Sequence, residues 1–312
     1  MTQARTTISK TLETVARTTW TDLRDGEDLG ISQGETTLTD RALLTLAREH
    51  PRLIVRKHPS HEEVYTGADW EWWIESEGLW TCLLFQAKKL DGGRYRGLSK
   101  KQPSGIYQVD ALIKQCWSRS IKLGGTVWPL YCFYNYWRGP WPPGVPNALH
   151  PEGPQSGVNS NELPLYGCAV MHAQHVRRHI SDKVSEGRRT ARDTYLPYAR
   201  PWSLLFDMAS VTTANGTTTV PELLNKLLDL SSVNGTESSP AQRQTSSRNT
   251  LAAGHAEPRT VSRVGRKIAP WTTPEPVTRP PEYVLDMMGG GRPRPRRLKP
   301  LAQRVAVLTS DG

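Results

Sequence analysis

GADWEWWIESEGLWTCLLFQAKKL, residues 67–90, is the stretch on which the fold turns. From Asp69 to Glu75, Asp69, Glu71, Trp73 and Glu75 alternate with Trp70, Trp72 and Ile74, the period of two that marks a strand. Glu75-Ser76-Glu77-Gly78 has turn chemistry, with Gly78 free to take positive φ. Residues 79–88 form a second apolar, β-prone run in which Leu84, Gln86 and Lys88 share a face. Two antiparallel neighbours would bring Asp69, Gln86 and Lys88 to one spot. A carboxylate, an amide oxygen and an ammonium together suit metal-assisted hydrolysis of a phosphodiester.

Working towards the N-terminus, Ile8, Leu12, Val15, Ala16 and Leu23 recur at helical spacing, so a helix is expected over residues 7–23, followed by a Gly- and Asp-rich loop over 24–34. Thr37-Leu38-Thr39-Asp40 fits a capping box and places the next N-cap at Thr37. Leu43, Leu44, Leu46 and Ala47 are its buried stripe, and Pro51 its end. RLIVR (52–56) reads as a strand, and a charged loop with His58 and His61 leads into the hairpin.

Towards the C-terminus, Asp91-Gly92-Gly93 opens a basic stretch with Arg94, Arg96, Lys100 and Lys101. Residues 104–117 read as a helix with Val109, Leu112, Ile113 and Cys116 inward. VWPLYCFYN (127–135) reads as a strand that starts after Pro129. The order helix, three strands, helix, strand predicts an α/β domain with a mixed sheet flanked by helices. Residues 138–164 carry seven prolines and read as a surface excursion or lid. A strand over 165–171, a helix over 172–184, and apolar runs at 202–208 and 223–230 close a domain spanning 1–230, its core at about 34–208. Residues 231–312 are rich in Ser, Thr, Pro, Arg and Gly and are expected to be a largely disordered tail. Within that tail, 283–288 and 301–308 are short apolar runs able to dock back on the domain or bind a partner.

The net charge of +10 is unevenly spread: 13 Lys and Arg stand against 6 Asp and Glu from Val233 onward, and 27 against 24 before it. An anionic partner is expected, with the basic tail as one contributor. No apolar run reaches membrane-span length and the first twenty residues lack a signal-peptide core, so a soluble, cytoplasmic protein is expected. Cys82, Cys116, Cys132 and Cys168 are widely spaced, mostly in apolar runs, and read as reduced buried thiols.

Asp69, sixteen residues, then Gln86-Ala87-Lys88 resembles the motif of the PD-(D/E)xK nuclease superfamily, the restriction-endonuclease-like fold, whose αβββαβ core has the same element order. The stretches ETTLTD, GADWEWWI and LFQAKK further resemble an uncharacterised bacterial family. The likeness covers residues 34–135 well, 165–208 loosely and the tail not at all. It implies a metal-dependent endonuclease acting on DNA, with defence against foreign DNA as a habit of the superfamily. Asp69, Gln86 and Glu35 would hold Mg²⁺ or Mn²⁺, which prefer oxygen ligands and retain waters. Lys88 would orient or deprotonate the attacking water. Lys89, Arg94, Arg96, Lys100 and Lys101 would grip the nucleic-acid backbone. Two departures stand out: Ala68 replaces the motif's Pro, and Gln86 replaces the commoner acid.

Other readings stay open. The same three polar residues would suit a solvated sheet face. Glu35 suits a plain helix-start carboxylate, and Glu71 a surface or outer-sphere residue. Gln108 and Lys114 lie on the polar side of their helix and are weaker candidates to face the site. His172, His175 and His179 share a helix face, read as a polar face rather than a zinc site because no further ligand is near and Arg178 would repel a cation. Trp70, Trp72, Trp73 and Trp80 read as core, with Trp73 the best base-stacking candidate. Arg292, Arg294, Arg296 and Arg297 read as a flexible basic arm. The alternatives to a nuclease are an inactive nuclease-fold module binding nucleic acid or protein, and an assembly protein bound through its basic tail. A homo-oligomer is left open.

Overall fold

The computed structural model describes residues 7–57, 67–76, 78–139, 142, 160–180, 185–207, 212–213, 216–217, 275–289, 300–302 and 304–309. It is a mixed α/β fold built on one open, eight-stranded mixed sheet flanked by helices. His58, His61, Leu223–Leu230, most of the Pro-rich excursion and the arginines at 292–297 lie outside the described residues.

Helix α1 spans Ile8–Leu29 and is capped by Thr7, whose hydroxyl accepts the Lys10 N–H at 3.3 Å. It buries Leu12, Val15, Ala16 and Trp20. The expected loop at 24–34 is helical as far as Leu29; the helix stops only at Gly30, which adopts φ 69°. Helix α2 spans Glu35–Glu49, so its N-cap is Gly34 and not Thr37. Thr39 is occupied inside the helix: its hydroxyl donates to the Glu35 carbonyl (2.9 Å) and lies 2.8 Å from the Tyr134 hydroxyl.

Strands β1 (Leu53–Lys57), β2 (Trp70–Ser76) and β3 (Leu79–Asp91) follow, with β4 (Arg94–Tyr95) folding back on the end of β3. Helix α3 (Gln108–Leu123) crosses over to β5 (Val127–Tyr134), which runs parallel to β3. Strand β5 includes Pro129, at a point where pairing with the next strand has not begun. A 3₁₀ turn (Ser160–Gly167) stands where the first half of a strand was expected. β6 (Cys168–His172), the short helices α4 (Ala173–His179), α5 (Glu186–Thr190) and α6 (Arg192–Tyr195), β7 (Arg200–Pro201) and α7 (Leu204–Asp207) come next.

Both short apolar runs of the tail dock back on the domain, one of the two outcomes expected of them. Helix α8 (Glu282–Met288) buries Tyr283, Val284 and Met287. Strand β8 (Arg304–Leu308) enters the sheet between β1 and β2, antiparallel to the first and parallel to the second. The sheet order is therefore β1-β8-β2-β3-β5-β6-β7. Val305, Ala306 and Val307 are fully buried, so alternate side chains of this strand fill both faces.

The sheet divides the core. Trp70 stacks on Phe85 (4.7 Å, 10°) on the face where Tyr134 meets Thr39 of α2 and Cys168 meets Thr19 of α1. Glu71, Trp73, Gln86 and Lys88 point to the other face, towards α3. The tryptophans of the hairpin are core, as expected; Trp73 is wholly buried, which removes it as a stacking platform. All four cysteines are free and buried, and burial pushes their thiols up, Cys168 to about 12.

Candidate functional site

Register places Asp69 beside Gln86. Trp70 pairs with Phe85 across the hairpin, and the Asp69 N–H donates to the Phe85 carbonyl at 2.7 Å. The Asp69 carboxylate turns back across the strands: its Oδ2 accepts the Ala87 N–H at 2.6 Å and the Gln86 side-chain N–H. Gly67 sets this turn against α3, since a Cβ there would stand 2.8 Å from the Gln108 carbonyl. The Asp69 carbonyl in turn receives an N–H from Arg304 of β8 at 3.4 Å, while the Arg304 Nε bonds to Asp40 of α2. The C-terminal strand thus braces the first acidic residue of the motif.

Two residues further along β3, Lys88 is 6% exposed and its Nζ lies 3.6 Å from Glu35 Oε2. Glu35 Oε1 accepts the Lys89 backbone N–H at 2.9 Å. Helix α2 therefore presents its first-turn carboxylate to the lysine while resting that carboxylate on the strand. The four expected residues form two contacting pairs, Asp69 with Gln86 and Glu35 with Lys88, at one end of the sheet.

Gln86 is 2% exposed and its Oε1 is buried with no hydrogen-bond partner among the described residues. Tyr131, facing Gln86 across the β3–β5 pairing, carries a buried hydroxyl in the same condition. Burial drives the Tyr131 phenol well up; Asp69, Tyr195, Asp110 and Glu35 push it further the same way. Three carboxylates, from the start of β2, the start of α2 and the first turn of α3, thus act on one buried phenol. Asp110 accepts from Arg177 Nε at 2.7 Å. Sequence reasoning passed over Asp110 for Gln108 and Lys114; Gln108 is half-buried beside Gly67, and Lys114 is exposed.

The oxygen donors suit a hard cation. Asp69 and Glu35 supply carboxylates, and Gln86 has an orphaned amide oxygen that half a turn of its amide exchanges with the nitrogen now on Asp69. Among the described residues, no cluster of three or more His, Cys, Asp or Glu forms a metal-binding group, so any such ion depends on the Gln86 oxygen and on water.

The remaining expectations divide. Lys89 Nζ donates to Ser32 (2.9 Å), Arg96 pairs with Asp91 (3.0 Å) and Lys101 lies over the Tyr107 ring (4.8 Å), while Arg94 and Lys100 are exposed. An arginine-rich segment missed in the sequence packs against this basic loop. Arg94 bridges to Ala191, Arg192 N–H donates to the Gly93 carbonyl (3.1 Å), and Arg189 donates to the Tyr107 hydroxyl (3.2 Å). The Arg-Arg doublets at 177–178 and 188–189 were the available signal. A cavity of about 540 Å³ opens beside Lys89, lined also by Ser32, Gly92, Trp137, Arg138 and Arg192.

Glu71 is not a surface residue. It is 1% exposed and accepts the Trp73 indole N–H, the Tyr283 O–H and the Leu301 N–H, the last at 2.9 Å. It is the anchor of the C-terminal segment. The histidine face is likewise not solvated: His172 and His175 are buried, His172 accepts the Gln174 N–H as the α4 cap, and His175 stacks on Tyr198 at 4.8 Å. Burial and then His175 hold the His172 pKa well down. Among the described residues no helix is long and apolar enough to cross a membrane.

Comparison with curated proteins and with solved structures returned no match. A family model does match, over residues 8–311, and so runs through the C-terminal strand as well as the hairpin. The chain belongs to DUF6615, a family of unknown function.

Proposed function

We propose that the chain is a metal-dependent phosphodiester hydrolase of nucleic acid, DNA being the expected substrate, on a restriction-endonuclease-like core. The observation that carries this reading is the placing of two contacting pairs, Asp69 with Gln86 and Glu35 with Lys88, at alternate residues of β3, with a Gln86 oxygen buried without a hydrogen-bond partner among the described residues. The antiparallel β2–β3 hairpin, the α3 crossover and parallel β5 support the core assignment. The β8 strand between β1 and β2 is this chain's departure from it.

Asp69, Gln86 and Glu35 would hold Mg²⁺ or Mn²⁺, which when bound polarises a phosphoryl oxygen and acidifies water. Lys88, held by Glu35, would orient the attacking water and offset charge gathering on the phosphate. The water oxygen forms the new P–O bond, an ester P–O bond breaks, and the departing sugar oxygen takes up a proton. The basic surface of Arg94, Lys101 and Arg189 lies around the N-terminus of α3, beside Asp110, and would hold the backbone in place. Plasmid incubated with Mg²⁺ tests this: the wild type should nick it, and Lys88→Ala should cut at least 100-fold more slowly. Equal rates would end the proposal.

A second reading, a nucleic-acid-binding module without cleavage, is favoured by one observation. Asp69 Oδ2 already carries two donors and Lys88 already has a counter-ion. Retained DNA binding with no Mg²⁺- or Mn²⁺-dependent product would select it.

A further inference from the structure

A second concavity lies apart from the Asp69 site, between the end of α4 and α5–α6. It has a volume of about 490 Å³ and is lined by Arg178, His179, Arg188, Asp193, Thr194 and Tyr198. Among the described lining residues, two guanidiniums and an imidazole stand with one carboxylate, Asp193, which accepts from Arg192 Nε at 2.8 Å. The Thr194 hydroxyl donates to the Arg188 carbonyl (3.1 Å), tying α6 to the segment that carries the arginine. Tyr198 forms an aromatic wall: one face stacks on His175 at 4.8 Å, yet the residue keeps 37% exposure. His179 lies tilted against the same Tyr198 ring at 6.0 Å and packs edge-on to Tyr195 at 5.7 Å.

We propose that this cavity binds one nucleotide unit of a nucleic-acid strand, its phosphate between Arg178 and Arg188 and its base against Tyr198. The inference rests on the nucleic-acid reading above but not on hydrolysis. Guanidiniums present forked donors that match phosphate oxygens. A half-exposed phenol ring offers the sequence-tolerant stacking that single strands use. The volume falls in the range that encloses a nucleotide-sized ligand. The positive field is felt inside the cavity: burial, then Arg178 and Arg188, all lower the His179 pKa. The same field disfavours a cation there. Arg177 and Arg189, chain neighbours of the two phosphate residues, contact Asp110 and Tyr107 at the N-terminus of α3. The two sides of the cavity are thus tied to the N-terminus of α3.

The test uses the full-length chain carrying Lys88→Ala, in EDTA, so that cleavage plays no part. Fluorescence anisotropy measures binding of a single-stranded oligonucleotide, with and without a 5′-phosphate, from 50 to 200 mM salt. Arg178→Ala with Arg188→Ala should weaken binding about 10-fold or more and lower the salt slope by about 1–2. Arg178→Lys with Arg188→Lys should keep the slope. Tyr198→Ala, at a partly exposed site, should weaken binding at least 5-fold and leave the slope unchanged, whether or not the arginine pair folds. A preference for the 5′-phosphorylated probe would assign a terminal phosphate, and equal affinity an internal phosphodiester. Wild-type affinity and slope in the pocket variants, with Arg94→Ala and Lys101→Ala still impaired, would overturn the cavity alone. No binding by any form would overturn it together with the nucleic-acid reading.

Discussion

Replacing Glu71 by Ala should destabilise the whole domain and release its C-terminal segment first. Three donors converge on this carboxylate: the Trp73 indole, the Tyr283 hydroxyl and the Leu301 amide. Trp73 and Tyr283 are fully buried, so water does not take over when the carboxylate leaves. A buried donor stripped of its acceptor costs about 1–3 kcal/mol, so the set amounts to roughly 3–6 kcal/mol after partial relaxation. That is a large share of the roughly 5–15 kcal/mol that holds a typical domain together. With a urea slope of about 3 kcal/mol per molar, the unfolding midpoint should drop by about 1–2 M. Tyr283→Phe removes one donor together with its demand, and should cost only about 1 kcal/mol. Urea unfolding followed by tryptophan fluorescence gives both midpoints, and limited proteolysis of native Glu71→Ala should cut between α8 and β8 before elsewhere. A Glu71→Ala midpoint within 0.3 M of wild type, or cleavage that begins elsewhere, would refute the anchoring role.

Truncation before Pro300 should leave the chain insoluble or unfolded, because β1 and β2 lose a shared partner; a soluble, cooperatively melting product would contradict the sheet order. Lowering pH should erode stability through His172. Its folded pKa lies well below the ordinary value of about 6.5, so the unfolded chain binds the extra proton, and stability present above about pH 6.5 is lost below it at up to about 1.4 kcal/mol per pH unit. His172→Asn, which keeps a capping acceptor, should flatten that slope in melts between pH 5 and 7. If Asp69 is a ligand, Mg²⁺ should raise the melting temperature of wild type and leave that of Asp69→Ala unmoved. Equal shifts in both would remove Asp69 from any metal shell.

What the chain disclosed on its own follows from the range of the interactions. The hairpin was legible because alternation at 69–75 and the face shared by Gln86 and Lys88 are local facts, and the pairing of Trp70 with Phe85 agrees with them. Glu35 was legible as a helix-start carboxylate, though the cap was misplaced because Asp40, the acid of the expected capping box, instead bonds to Arg304, 264 residues away. RVAVL (304–308) was visible as an apolar run, but nothing nearby specifies a slot between β1 and β2. Glu71 looked like a surface residue because two of its three partners lie far along the chain, at 283 and 301. His172 and His175 looked polar because their aromatic neighbours, Trp128 and Tyr198, come from other elements.

The place of β8 has a consequence for how the protein is made. A slot between the edge strand β1 and its neighbour β2 must stay open until a segment 230 residues beyond Glu71 has left the ribosome. Until then two facing rows of backbone donors and acceptors are exposed to any passing extended chain. Nascent protein should therefore lean on chaperones, and the final step of its maturation should be a slow, long-range closure rather than the collapse of the tryptophan-rich hairpin.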